Sequence, residues 1–199
     1  MASTYLLLVR HGEYVGDHAP GEVADGDLTE RGRRQAQLTA RRLAQLPVSS
    51  VHFSTLRRAV QTTELLKAGM PDVPTYADPV LRECIPSIPS HGILTPHLRH
   101  FFDNLPPVMR NGGKEQARAA FARYVRHSGE RDRYLVLSTH GNLINWFVCT
   151  VLEAPEELWV TVHIHHCGIT TLEVREDKRV LLVGHNDVGH LPPGLHTTD

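Results

Sequence analysis

Leu6-Leu7-Leu8-Val9-Arg10-His11-Gly12 and Leu135-Val136-Leu137-Ser138-Thr139-His140-Gly141 end in the same way. Each is a short apolar run, which reads as a strand buried on both faces of a parallel sheet. Each delivers a histidine followed by glycine at its carboxyl end, the edge of an open α/β sheet where ligands sit. Arg10 stands beside the first histidine, and Arg57-Arg58 lies between the two runs. Together they mark a candidate site for phosphoryl chemistry.

Outward from these runs, strands and helices alternate. Tyr5–Val9 is the first strand. Leu28-Thr29 opens a helix that Thr29 can cap, with Ala36, Ala40 and Leu43 as its buried stripe and Pro47 beyond its end. Val51–Ser54 is a second strand, Arg57–Lys67 a helix that stops at Gly69, and Pro74–Ala77 a third strand. Six prolines fall between Pro79 and Pro107 with little periodicity. This stretch is expected to be a loop excursion of the kind used as a lid or binding loop. A helix follows from about Lys114 to His127, then a strand at Tyr134–Ser138. Leu143–Leu152 is apolar nearly all round and reads as a buried helix. Pro155-Glu156-Glu157 suits the first turn of a short one. Ile169–Val174 and Val180–Val183 flank a polar link and form an edge hairpin. The predicted class is α/β: a three-layer α/β/α sandwich with a mainly parallel sheet and an antiparallel edge hairpin. Residues 1–199 are expected to be a single domain with a loop insertion at about 79–113. Gly16–Asp27, with Asp17, Glu22, Asp25 and Asp27, reads as an exposed acidic loop, and Leu191–Asp199 as a tail.

The 199 residues are long enough to bury a core, and 41% hydrophobic with 22% charged residues describes a globular chain. A formal net charge of -1 argues against broad capture of nucleic acid or of an anionic membrane. Cys84, Cys149 and Cys167 are widely spaced and form no CxxC pair, the usage of reduced thiols rather than a disulfide framework. Tyr5–Val9 is too short for a signal-peptide core, and no stretch approaches the ~20 apolar residues of a membrane span. The expected location is the cytoplasm.

Cleaving a phosphate ester requires fixed positive charge and donors around three equatorial oxygens. Arginine suits this demand because its planar fork binds oxygen pairs and stays charged. A neutral imidazole can attack in line and form a phosphohistidine, and a carboxylic acid must protonate the leaving oxygen. His11 is the candidate nucleophile. Arg10 and Arg58 supply charge, and His140 adds a donor if protonated. Glu83 is the candidate acid, with Glu13 and Glu64 as competitors. Gly12 and Gly141 leave room for an anion near the backbone, and the helix start at Gly141-Asn142 presents amide groups to it. His163-x-His165-His166 invites a metal reading, since alternate residues share a face. Surface histidines are the plainer account, and neither a metal nor another cofactor is assigned.

These motifs resemble those of the histidine phosphatase, or phosphoglycerate mutase-like, superfamily. Arg10-His11-Gly12 is similar to its signature. Leu28-Thr29 through Gly32 with Gln35-Ala36 resembles its first helix, and Ser54–Leu56 with Arg58-Ala59 and Gln61-Thr62 its second arginine motif. Leu81 with Glu83 matches the acid position and His140-Gly141 the second histidine. The resemblance implies a three-layer fold and a phosphohistidine mechanism on His11 without metal. A finer resemblance is to the mitochondrial serine/threonine protein phosphatase branch, carried by Leu81-Arg82-Glu83 with Pro86 and Pro89, Phe121–Val125, Trp159 and Gly189–Pro193. Gly12 and Gly141 depart from the serine and alanine expected in that branch, and a counterpart of its long membrane-anchoring amino-terminal segment is not expected. The branch's location is therefore not carried over.

The expected function is phosphomonoester hydrolysis on a phosphorylated protein or small molecule. A phosphoglycerate mutase is the runner-up. Glu13-Tyr14-Val15-Gly16 replaces the polar and tryptophan-asparagine sequence of the mutases, and the acidic loop would repel a second phosphate. A phosphate- or phosphopeptide-binding module with little turnover is the alternative from another class. No nucleic-acid or membrane partner is expected. The exposed edge of the last hairpin is where a homodimer would pair.

Overall fold

The computed structural model describes residues 2–16, 25–105 and 110–198. Six strands form one sheet: β1 (Ser3–Arg10), β2 (Val48–Phe53), β3 (Thr75–Ala77), β4 (Arg133–Thr139), β5 (Ile169–Arg175) and β6 (Val180–Asp187). Their order is β3-β2-β4-β1-β5-β6. β3, β2, β4 and β1 run parallel, while β5 is antiparallel to both β1 and β6. The mainly parallel sheet with an antiparallel edge hairpin is as expected.

The unbroken apolar run of β1 follows from cover on both faces. Leu6 and Leu8 pack with Leu137, Leu143, Ile144 and Phe147 on the side of α4 (Gly113–Tyr124) and α5 (Gly141–Val151). Leu7 and Val9 turn to the other face, with Leu43, Val51, Leu66 and Val136 under α1 (Glu30–Leu43) and α2 (Arg57–Gly69). Burying each leucine contributes roughly 1.5–3 kcal/mol. Thr29 caps α1, its hydroxyl accepting from Gly32 N at 3.0 Å, and Gly32, Gln35, Ala36, Thr39, Ala40 and Leu43 form its buried stripe.

The β1–β4 register sets the site. Val9 pairs with Ser138 and Arg10 with Thr139, so His11 and His140 emerge side by side from adjacent parallel strands. His11 N donates to Thr139 O at 3.0 Å, and Ser54 N, just past β2, donates to Ser138 O at 3.0 Å.

Two expectations change. The stretch from Pro79 carries 3-10 turns at Pro79–Leu81 and His91–Ile93 and a helix, α3 (Pro96–Asp103). Pro96 occupies its first turn, and Thr95 caps it through Leu98 N at 3.4 Å. An eight-residue helix that fully buries only Phe102 has too little periodicity to stand out among prolines. Residues 191–198 are also not a loose tail. Leu191 is buried, Gln35 Nε2 donates to Leu195 O at 2.7 Å, and His166 N donates to Thr197 O at 2.9 Å. These anchors are mostly polar and backbone-borne, so no hydrophobic pattern announces them. Asp17, Glu22, Pro106 and Pro107, named above, lie outside the described residues. Among the described residues, no helix is long and apolar enough to cross a membrane.

Candidate active site

His11 is 1% exposed. Its Nδ1 lies 2.8 Å from Gly12 O, a carbonyl that can only accept, so Nδ1 carries the hydrogen and donates it. The lone pair then sits on Nε2, where Arg58 Nε donates to it at 2.9 Å. Burial, then the fields of His140, Arg10 and Arg58, hold the imidazole pKa well below its ordinary value. A neutral imidazole with its lone pair on Nε2 is chemically able to act as a nucleophile.

His140 is fully buried, with its ring centroid 5.1 Å from that of His11. Its Nε2 lies 2.7 Å from Ser54 Oγ, while Nδ1 meets no hydrogen-bond partner among the described residues. Burial first, then Arg58, Arg10 and Arg82, push its pKa well down. The sequence reading assigns His140 a donor's role if protonated; its surroundings favour the neutral ring, which still carries one N–H.

Arg10 and Arg58 are both buried. Arg10 Nη1 donates to Ile164 O at 2.7 Å and lies 3.4 Å from Thr198 Oγ1. Arg58 lies over the Tyr14 ring, 4.7 Å from its centroid, with Asp25 Oδ1 3.8 Å from its Nη1. Gly141 begins α5, and a Cβ there would stand 3.4 Å from Arg10 Nε, so the glycine keeps space beside the cation. Gly12 has a different task from the one expected. A Cβ there would meet Gly32 O at 2.6 Å, and its amide donates to Thr62 Oγ1 at 3.0 Å. Its bare Cα lets β1 approach α1. Asn142 Nδ2 donates to Cys84 O at 3.3 Å, tying the start of α5 to the segment that carries Glu83.

Glu83 shares a cavity of about 510 Å³ with Arg10, Gly141 and Asn142. Leu98, Phe101 and Phe102 of α3, with Trp159, Val160 and Val162, make the remaining wall largely apolar. The competing carboxylates are placed elsewhere. Glu13 Oε1 accepts from Thr29 Oγ1 at 2.8 Å and Oε2 pairs with Arg31 at 3.2 Å, so Glu13 holds the entry to α1. Glu64 is exposed on α2.

Three contributors escaped the sequence reading. His166 is 2% exposed, not a surface residue, and its ring lies 5.5 Å from that of His11. Thr197 Oγ1 meets His166 Nδ1 at 3.0 Å. Gln35, whose side chain is shared between Glu13 N and the 195–197 segment, belongs to the first-helix motif, which assigns it no role. His163 and His165 face each other, Nε2 to Nε2, at 3.3 Å. Among the described residues no group of three or more metal-ligating side chains assembles, and burial pushes the nearby Cys167 thiol up to about 12.

The family model for the histidine phosphatase superfamily (branch 1) matches residues 6–87 and 110–187. The mouse mitochondrial serine/threonine-protein phosphatase PGAM5 is 32% identical over 96% of this chain, and Drosophila melanogaster Pgam5 is 32% identical over 97%. The chain spans about two thirds of their length, 65% of the mouse protein and 66% of the fly protein. Among solved structures, Bacillus stearothermophilus YhfR matches with a TM-score of 0.75 at 24% identity, covering 95% of this chain and 100% of that one. A mycobacterial glucosyl-3-phosphoglycerate phosphatase complexed with inorganic phosphate matches at 0.69 and 25% identity, covering 94% and 99%. The relatives' names place them in mitochondria, so the cytoplasmic expectation finds no support among them. The ordered motifs, the paired strand-end histidines and the matched family model converge: the chain belongs to branch 1 of the histidine phosphatase superfamily.

Proposed function

We propose that this chain hydrolyses phosphomonoesters through a phosphohistidine on His11. The observation that carries the reading is the state of His11: Nδ1–H tied to Gly12 O, and the Nε2 lone pair held at 2.9 Å by Arg58 Nε. An arriving phosphoryl group takes the place of Arg58 at the lone pair and receives the guanidinium on its oxygens instead. Nε2 attacks phosphorus, the ester P–O bond breaks, and Glu83 gives its proton to the leaving oxygen. Arg10, Arg58 and His140 hold the equatorial oxygens. The Glu83 carboxylate then takes a proton from water, which displaces the histidine and releases phosphate. Asn142 and the amides at the start of α5 complete the cradle.

The favoured substrate is a phosphoprotein, or another monoester with an apolar neighbour to its phosphate. The cavity beside Glu83 supports this, since its wall offers Leu98, Phe101, Phe102 and Trp159 and only Arg10 as a permanent cation among its described residues. The protein phosphatase relatives point the same way. A mutase reading is weaker, because a bisphosphate needs a second cationic cluster. The chain is read as one domain because a single sheet carries all the named strands. The outer edge of β6, with Val183 exposed, is where a homodimer would pair. A reducing compartment, such as the cytoplasm, fits three cysteines that stand as free thiols.

Turnover of an aryl phosphate in excess chelator tests the reading. Activity that survives the chelator and vanishes in His11→Ala supports it. Phosphate binding without turnover would leave the binding module, and activity only with an added bisphosphate would leave the mutase.

A further inference from the structure

Ser54 has no role in the scheme so far. It lies just past β2, is fully buried, and is held by its amide to Ser138 O. Its Oγ has two neighbours. Leu56 N donates to it at 3.2 Å, and His140 Nε2 stands 2.7 Å away. The amide can only donate, so one oxygen lone pair is taken.

Two arrangements remain for the 2.7 Å contact. If His140 Nε2–H donates to Ser54, the hydroxyl hydrogen has no acceptor among the described residues, and the Nδ1 lone pair has no donor. Two buried groups are then unmet. If the serine hydroxyl donates to Nε2, only Nδ1–H is unmet, and it is a donor held ready for an anion. Buried polar groups find partners wherever they can, so the second arrangement prevails. With Nε2 occupied, Nδ1 is the one nitrogen of His140 left for a ligand.

We propose that Ser54 is a positioning residue that locks His140 as its Nδ1–H tautomer, so that a neutral imidazole donates to the transferring phosphoryl group. The tautomer rests on geometry alone; what Nδ1–H meets rests on the phosphatase reading above. A histidine with the opposite tautomer would aim a lone pair at the oxyanion and repel it. Protonation would cure that, but the groups around His140 oppose a second positive charge. Burial and the cations Arg58 from α2, Arg10 from β1 and Arg82 after the Pro79–Leu81 turn do so, while His11, just past β1, and Glu83, next to Arg82 along the chain, are the other titratable neighbours. A hydroxyl at residue 54 sets the donor without adding charge.

The experiment is 15N NMR of the histidine side chains in the full chain, with and without inorganic phosphate, joined to pH–rate profiles of Ser54→Ala and Ser54→Thr. Wild-type His140 is expected to show a protonated Nδ1 and an unprotonated Nε2. Ser54→Ala is expected to shift towards protonated Nε2 and to lose about tenfold to hundredfold in kcat/KM. That deficit should hold across about pH 8 to about pH 6.5, where the imidazole is neutral, and shrink only at lower pH, towards the depressed value of the ring, because a protonated imidazole donates from both nitrogens. Ser54→Thr, which keeps the hydroxyl, should restore both readouts. A protonated Nε2 in the wild type overturns the proposal, as does a Ser54→Ala deficit that is constant with pH and leaves the spectrum unchanged. Absence of wild-type turnover would sink the phosphatase reading, while the spectrum would still decide the tautomer.

Discussion

The ends of β1 and β4 carry the same three-part device: an apolar strand, a histidine, a glycine. Both histidines are buried, both are held neutral, and they stand 5.1 Å apart. They nevertheless present opposite faces. His11 gives its hydrogen to its own neighbour's carbonyl, so Nε2, which accepts from Arg58 at rest, carries the lone pair that the proposed mechanism uses as nucleophile. His140 has its Nε2 against a serine, so its free nitrogen is a donor. The residue type and the strand supply the ring; the hydrogen-bond partner decides its chemistry.

That contrast orders the effects of breaking each part. His11→Ala removes the atom that bonds to phosphorus, and kcat for an aryl phosphate should fall by about 10⁴-fold or more. Glu83→Gln should cost about 10² to 10⁴ on an alkyl phosphate, whose leaving oxygen needs a proton. On a nitrophenyl phosphate the same variant should lose much less, and equal losses on both esters would remove Glu83 from the acid role. His140→Ala deletes one donor of several, so about 10²- to 10³-fold is expected in kcat. A loss as large as that of His11→Ala would erase the distinction between the two strand ends. Phe101→Ala changes only the apolar wall. It should raise KM by a few-fold for a peptide with an apolar residue beside its phosphoserine, and leave an acidic neighbour unaffected.

The smallest effect is on stability. Both rings stay neutral in the folded chain, whereas an unfolded histidine takes up a proton below about pH 6.5. The unfolded state therefore binds more protons at low pH. The contribution of each ring is full above about pH 6.5 and declines as the pH falls towards its depressed folded value. His11→Asn should flatten the fall of Tm between about pH 7 and pH 5. An unchanged slope would mean that the ring is not buried in its neutral form.

The mainly parallel sheet and the strand-end placing of Arg10, His11 and His140 were legible because strands covered on both faces must be apolar throughout, and β1 and β4 are; Arg58, on α2, was legible in its arginine pair and its motif. Thr29 was legible as a cap because a hydroxyl residue just before an apolar helical stripe can accept from a free amide of the first turn. The missing pieces are of another kind. α3 is short and interrupted by prolines. The 191–198 segment is held mainly by Gln35, His166 and backbone groups, which leave no periodic trace. Gly12 shows the limit of reading a motif by type: its bare Cα answers to the Gly32 carbonyl of a distant helix, a contact that spacing alone does not express. His166 reads with its neighbours His163 and His165 as a surface histidine, yet it is buried with its ring 5.5 Å from that of His11.

The central claim is a covalent phosphoryl group on one imidazole. Rapid quench of the enzyme during turnover, under alkaline conditions that preserve phosphohistidine, followed by peptide mass spectrometry, tests it most directly. The account predicts one added phosphoryl group on the peptide containing His11, absent in His11→Ala. Steady turnover with that peptide unmodified, or with the group on the peptide containing His140, would contradict it.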